Sequence, residues 1–460
     1  MSKLFVLGID GAFPEYIFGE WRNELPNINK LMQNGVYARL DSPVPCLSAT
    51  AWSSILTGKP PADTGIFEYI QRKRDSYEEW RVISSHSLKE KTVWQILSDN
   101  GKESVACYPI LSWPIKPFKG SLISGSLTPS GKDVENVYPA ELKKELEGMF
   151  GEVPTADIPL FRDLSKEQII EGVQKLTDKQ IEVEKYLMKN KKWDMFFALI
   201  GLSDRMNHAF WRYMDNKHRK YDPNSPFKDA LKNFYLYVDK KLGEFLQIVG
   251  EDTRVIVLSD HGITRLHTRV NLTDWLIKEG YMTLKQPITE KTRFTFDMVD
   301  WSKTRVFAIG AYEGQIFINL KGREPEGIVE QADYDSLLEE VIAKIAKISG
   351  DDGNKLETKF FRKKDHFNGK HFEEAPDAII YFDDLEYGCN TTLIGNETMW
   401  SPQTALGSDD AGHSKQGIFI MSEKGKERDL GDISYLDVAP TILHLLGVPV
   451  PEDMKGKILK

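Results

Sequence analysis

Cysteine is scarce in this 460-residue chain: Cys46, Cys107 and Cys389 are the whole set. So sparse and odd a set is no disulfide framework and suits a reducing compartment. No apolar run approaches the ~18 residues of a membrane-spanning helix, so no membrane partner is expected. Basic charge is short as well. The formal net charge is −9, with no long basic stripe to offset it. A nucleic-acid polymer is therefore not expected as a partner. The first residues run straight into an apolar strand with no basic n-region before it, so a cytoplasmic location is expected. Internal repeats and low-complexity tracts are missing too.

What is present is an ordinary globular composition, 41% hydrophobic and 28% charged, enough for a large core. Three continuous apolar runs stand out: Leu4–Ile9, Met195–Ile200 and Arg254–Ser259. Unbroken runs of this kind are strands buried on both faces, the mark of a mostly parallel sheet covered by helices. Helical stretches alternate with them, for example from Ser165, where Gln168 completes a capping box. The fold class expected is α/β, a doubly wound sheet. One catalytic domain spanning 1–460 is expected, with two insertions. The first, 109–159, is broken by Pro109, Pro114, Pro117, Pro129 and Pro139; the second, 263–375, is read as a cap, with the core resuming at Pro376.

The chemistry-bearing residues follow the apolar runs. Asp10-Gly11 ends the first, and Asp204 and His208 follow the second, four apart and on one face if helical. Asp260-His261-Gly262 ends the third, and Gly412-His413 precedes a further apolar strand. Ser48 opens a helix after Pro45 and reads locally as an N-cap, among unpaired N–H groups that welcome an anion. His444 lies in an apolar stripe and is read as a core histidine rather than a ligand. In open α/β sheets ligands bind beyond the carboxyl ends of the strands. Asp10, Ser48, Asp204, His208, Asp260, His261 and His413 would therefore gather at one edge. Carboxylates, imidazoles and a hydroxyl in this mixture suit two divalent ions, Zn²⁺ foremost and Mn²⁺ as the other choice. Two such ions are a standard device of phosphoryl transfer.

With these motifs in place, the sequence resembles the alkaline phosphatase superfamily, in particular its type I phosphodiesterase/nucleotide pyrophosphatase branch and related prokaryotic phosphohydrolases. The motifs are Gly8-Ile-Asp10-Gly11, the stretch Ser48 to Gly58, Asp204 with His208, Ser259-Asp260-His261-Gly262, Gly412-His413 and the closing Asp437-Val-Ala-Pro-Thr-Ile-Leu. The resemblance implies an alkaline-phosphatase-like fold and metal-dependent hydrolysis of a small phosphate ester. Phosphodiester or pyrophosphate bonds are the first choice. A phosphomonoesterase, or a metal-dependent phosphomutase of the same superfamily, is the alternative.

Residue by residue, the resemblance implies that Asp204, His208 and His413 hold one metal. Asp10, Asp260 and His261 would hold the second, which also contacts Ser48. Ser48 is the implied nucleophile, forming a phosphoserine intermediate. Cys46 invites a sulfatase reading, but Cys46-Leu-Ser-Ala-Thr50 lacks the Pro and Arg of the sulfatase motif. The nucleotide phosphodiesterases that the sequence resembles carry a phosphate-orienting Asn three residues after the nucleophile, where this chain has Ala51 followed by Trp52, so His267, Lys415 and the amides of Ala49 and Thr50 are the substrate-binding candidates. Tyr312, Lys359, Arg362 and Lys363 are candidates for holding the leaving group from the cap.

Overall fold

The computed structural model describes residues 3–460 apart from Arg74, Lys132, Leu160, Leu406 and Lys424. The nine strands of its main sheet are β1 (Leu4–Ile9), β2 (Gly35–Asp41), β3 (Ser104–Cys107), β4 (Gly120–Ile123), β5 (Val137–Tyr138), β6 (Met195–Ile200), β7 (Arg254–Leu258), β8 (Gln416–Ser422) and β9 (Arg428–Ser434). Their order across the sheet is β9-β2-β8-β7-β1-β6-β3-β4-β5. The run β7-β1-β6-β3-β4 is parallel throughout. β8 is antiparallel to both its neighbours, β2 and β7.

β1 lies at the heart of the sheet, and every one of its residues is buried. Successive side chains leave a strand on opposite faces. Phe5, Leu7 and Ile9 accordingly pack with the helices α2 (Lys166–Asn190), α3 (Leu202–Met214) and α4 (Ala230–Val249). Leu4 and Val6 pack on the other side with Trp52, Ile55 and Leu56 of α1 (Ser48–Thr57) and with Ile442 and Leu443. Each such buried side chain stabilises the fold by about 1.5–3 kcal/mol. Ser165 caps α2 through the expected box with Gln168. His444, expected in the core, is exposed; the helix Val438–Leu445 buries Ile442 and Leu443 instead.

Two boundary expectations change. The stretch 109–159 is no mere insertion, because it contributes β4 and β5 to the main sheet and a helix, Ala140–Phe150. The prolines that break its pattern fall between these short elements. Pro376 does not mark a return to the main sheet either. Ala378–Tyr381 belongs to a separate four-stranded antiparallel sheet with Val306–Ile309, Gly314–Ile318 and Lys359–Arg362. That sheet carries the helix Tyr334–Ile345 and has its own apolar core, which includes Trp275, Tyr281 and Trp301. The cap therefore runs on to a neck, where Gly262–Arg265 pairs antiparallel with Ala411–Ser414. The main sheet resumes only at β8. Among the described residues no helix is long and apolar enough to cross a membrane.

Candidate two-metal centre

β1 pairs in parallel with β6 on one side and β7 on the other, so the carboxyl ends of all three open at one edge. Asp10 follows β1 directly, and the chain turns away at Gly11, whose φ of +68° suits a residue without a side chain. Asp204 and His208 lie one turn apart on α3, just after β6. Asp260 and His261 follow β7. His413 comes from the neck, opposite Ile263. The two sets implied by the sequence, Asp204/His208/His413 and Asp10/Asp260/His261, each form a buried cluster with ligand atoms within 4.8 Å of one another.

The spacing within the clusters is that of metal donors. His208 Nε2 and His413 Nε2 are 3.2 Å apart, and Asp204 Oδ1 is 3.1 Å from the first and 3.7 Å from the second. In the other cluster Asp260 Oδ2 is 3.3 Å and Asp10 Oδ1 3.6 Å from His261 Nε2. Donors on a tetrahedral zinc are separated by about 3.3 Å. Asp204 Oδ1 and Asp260 Oδ2 are buried and make no hydrogen bond among the described residues. Buried carboxylate oxygens are costly without a partner. A divalent cation in each cluster supplies one, so the residues fit two ions.

Every ligand is held from behind. Trp52 Nε1 donates to Asp10 Oδ2 at 3.0 Å, the Gly11 amide to Asp260 Oδ1 at 3.2 Å, and Arg205 to Asp204 Oδ2 at 3.1 Å. In each case the other oxygen is left facing the cluster. The imidazoles are tied through Nδ1. His413 donates to the Cys46 carbonyl at 2.8 Å and His261 to the Gly262 carbonyl at 2.9 Å. His208 Nδ1 meets two acceptors, Asp409 Oδ1 and the Ala411 carbonyl, both at 3.1 Å. Such outer partners fix the tautomer and present Nε2 to a metal.

The electrostatics point the same way. Burial, and then the charges of Asp260 and Asp204, push Asp10 well above the carboxylate range. Burial carries Asp260 to about 6. Against the effect of burial, His208 and Arg205 hold Asp204 well below its usual value. Asp204 and Asp409 in turn raise His208 to about 9, again against burial. Burial and the neighbouring His261 keep His413 neutral. On binding of a divalent ion the crowded carboxylates would be relieved and His208 would give up its second proton.

Ser48 is not the N-cap of α1. Leu47 is, and Ser48 is the first helical residue. Its hydroxyl is turned to the cluster instead, 3.3 Å from Asp10 Oδ1 and 3.1 Å from His261 Nε2. Thr50, two residues on, is fully buried, and its hydroxyl has no partner among the described residues. Burial pushes the Cys46 thiol up to about 12, which removes it as a nucleophile.

A cavity of about 1010 Å³ opens over Ser48 and the clusters. Its inner wall carries Tyr69, Arg162 and Arg205. Its outer wall is apolar, with Ile70, Trp80, Val82, Phe294 and Phe296. His267 and Lys415 are not part of this wall: His267 faces Glu386 at 3.4 Å and Lys415 is exposed. Of the cap candidates only Tyr312 lines the cavity. Lys359, Arg362 and Lys363 pair instead with Asp384, Glu339 and Glu373. The sequence reading missed Trp52, Tyr69, Arg162, Arg205 and Asp409. Trp52 and Arg205 at least sit beside residues it had singled out.

The sequence model of the type I phosphodiesterase/nucleotide pyrophosphatase family matches residues 4–392. The chain belongs to this family. Its members are metal-dependent enzymes that hydrolyse phosphodiester and pyrophosphate bonds. No curated protein matches the chain in sequence. Among solved structures it is similar to murine ectonucleotide pyrophosphatase/phosphodiesterase 5, free and as an inactive form in complex with AMP, each at 13% identity and TM-score 0.57. The human protein of the same name gives 13% and 0.56. Each comparison covers 98% of this chain and 97% of the other. The architecture is thus the alkaline-phosphatase-like one expected, with a mostly parallel central sheet flanked by helices.

Proposed function

We propose that this chain cleaves a phosphodiester or pyrophosphate bond in two displacements, with Ser48 as the nucleophile. The observation that carries the reading is the Ser48 hydroxyl, set between Asp10 Oδ1 and His261 Nε2 at the floor of the cavity. Two divalent ions, held by Asp204/His208/His413 and by Asp10/Asp260/His261, would lower the pKa of that hydroxyl and neutralise charge on the phosphoryl group. Zinc suits this donor set best.

The remaining work falls to the chain. Trp52, Gly11 and Arg205 hold the three carboxylates so that no reorganisation accompanies reaction. Ser48 Oγ gives its proton to solvent and attacks phosphorus, and the bond from phosphorus to the leaving oxygen breaks, that oxygen departing with a proton taken from solvent. Water then attacks the phosphoserine, releasing the phosphoryl product and restoring the hydroxyl. Tyr69 and Arg162 on the inner wall offer donors to the non-bridging oxygens.

A cavity of about 1010 Å³ is larger than a phosphomonoester of small size needs, which favours a substrate with a substantial group on each side of phosphorus. The similar murine structure holds AMP, so dinucleotides and nucleoside p-nitrophenyl esters are the first substrates to assay. Ser48→Ala should lose at least about 10²-fold in rate while keeping its metals. A chiral phosphorothioate diester should react with net retention at phosphorus. Near-wild-type turnover in Ser48→Ala, or inversion of configuration, overturns the proposal.

A further inference from the structure

Asp409 is buried, and no sequence motif pointed to it. Its two oxygens face different parts of the molecule. Oδ1 accepts from His208 Nδ1 at 3.1 Å. Oδ2 accepts from the Tyr312 hydroxyl at 2.9 Å and from the Arg162 guanidinium at 2.8 Å. His208 belongs to α3, Tyr312 to the tip of the cap hairpin between Val306–Ile309 and Gly314–Ile318, and Arg162 to the segment before α2.

The Tyr312 ring also lies flat against both imidazoles of the same cluster. Its centroid is 4.6 Å from that of His413 at 26°, and 5.3 Å from that of His208 at 22°. One cap residue thus covers two ligands, and the carboxylate that orients one of them also holds that residue. The Asp10/Asp260/His261 cluster has no such tie among the described residues. Its outer hydrogen bonds run to Trp52, the Gly11 amide and the Gly262 carbonyl.

We propose that Asp409 is a positioning residue that couples filling of the Asp204/His208/His413 site to the seating of Tyr312 and its hairpin. The inference rests on the two-metal reading above. By accepting a hydrogen bond from Nδ1–H, Asp409 fixes the His208 tautomer and makes Nε2 a better donor. Losing an outer partner of this kind costs about 10–100-fold in metal affinity. The coupling is reciprocal: whatever seats Tyr312 on Asp409 tightens the metal site by the factor with which filling the site seats Tyr312. One ion is then held by the core alone, and the other by core and cap together.

The test uses the full chain stripped of metal, titrated with Zn²⁺ against a chromogenic chelator. Amide exchange of residues 306–318 is followed in parallel. Wild type should bind two ions, and exchange in the hairpin should slow as the second binds. Asp409→Asn should keep one binding step unchanged, weaken the other at least about tenfold, and lose the slowing. Arg162→Gln and Tyr312→Phe remove partners of Oδ2 but leave the Oδ1 contact. They should still fold, melting lower because a buried carboxylate has lost a partner, and should shrink the slowing, which keeps the test decisive should Asp409→Asn not fold. If wild type binds fewer than two ions, the two-metal reading fails and the coupling with it. If wild type binds two and the variants match it in affinity and in exchange, the coupling alone is overturned.

Discussion

The indole Nε1 of Trp52 donates to Asp10 Oδ2 at 3.0 Å, so a core tryptophan of α1 holds a candidate metal ligand at the end of β1. Trp52→Phe keeps the packing and removes the donor. A buried acceptor left without its partner costs about 1–3 kcal/mol. The variant should melt lower and bind Zn²⁺ more weakly at the Asp10/Asp260/His261 site, with little change at the other. Calorimetry and a two-step metal titration check both; equal weakening at the two sites would argue against a local role.

Metal removal should destabilise the protein as well as silence it. Without cations three buried carboxylates face one another, two of them with an orphaned oxygen. A ligand that binds only the folded state at 100 times its Kd adds about 2.7 kcal/mol. Scanning calorimetry with and without a chelator should show a lower melting temperature after stripping, restored by Zn²⁺. An unchanged melting temperature would contradict the fit of the clusters to ions.

Substrate size should be read by the outer wall and not by the basic run of the cap. Trp80 stacks on Phe296 with centroids 5.2 Å apart at 9°, and both line the cavity. Aromatic contacts of this kind are worth about 0.5–1.5 kcal/mol, roughly 2–12-fold. Phe296→Ala should lower kcat/KM for a dinucleotide by that order and leave a small p-nitrophenyl ester unchanged. Neutralising Arg362 and Lys363 together should alter neither ratio, since both are committed to Glu339 and Glu373. Kinetics with the two substrates decide between the two surfaces.

The carboxyls of Glu68 and Glu313 give a pH dependence. Gln315 Nε2 donates to both, at 3.4 and 3.1 Å. Burial, with the Glu313 charge added, carries Glu68 to about 8, and burial carries Glu313 to about 7. Both lie above 4.5, the ordinary value of a glutamate carboxyl. The folded state therefore binds more protons than the unfolded one between about pH 4.5 and 8, and stability falls as pH rises through that window. Glu313→Gln should flatten the fall, so its melting temperature should gain on wild type towards pH 8. A constant difference across the range would contradict the raised values.

The central strands and the residues of the two buried clusters were legible because their signals are local. An unbroken apolar run such as Met195–Ile200 announces a buried strand, and the charged residue at its end is then placed by the geometry of a parallel sheet. Local signals also misled. Ser48 looked like a cap because its sequence neighbours say so, while its true partners, Asp10 and His261, are distant in the chain. Ala378–Tyr381 is as apolar as a core strand, and nothing in its residues tells which sheet it joins. Asp409 was invisible because its role depends on Tyr312 and Arg162 arriving from elsewhere.

His208 and His413 meet across 205 residues of chain, and the whole cap lies between them. During synthesis the Asp10/Asp260/His261 set is complete once His261 has emerged from the ribosome. The Asp204/His208/His413 set must wait until the cap has been translated and its neck has closed. On the two-metal reading a nascent chain therefore completes its two ligand sets in only one order, and completion of the second marks the moment at which the neck has closed.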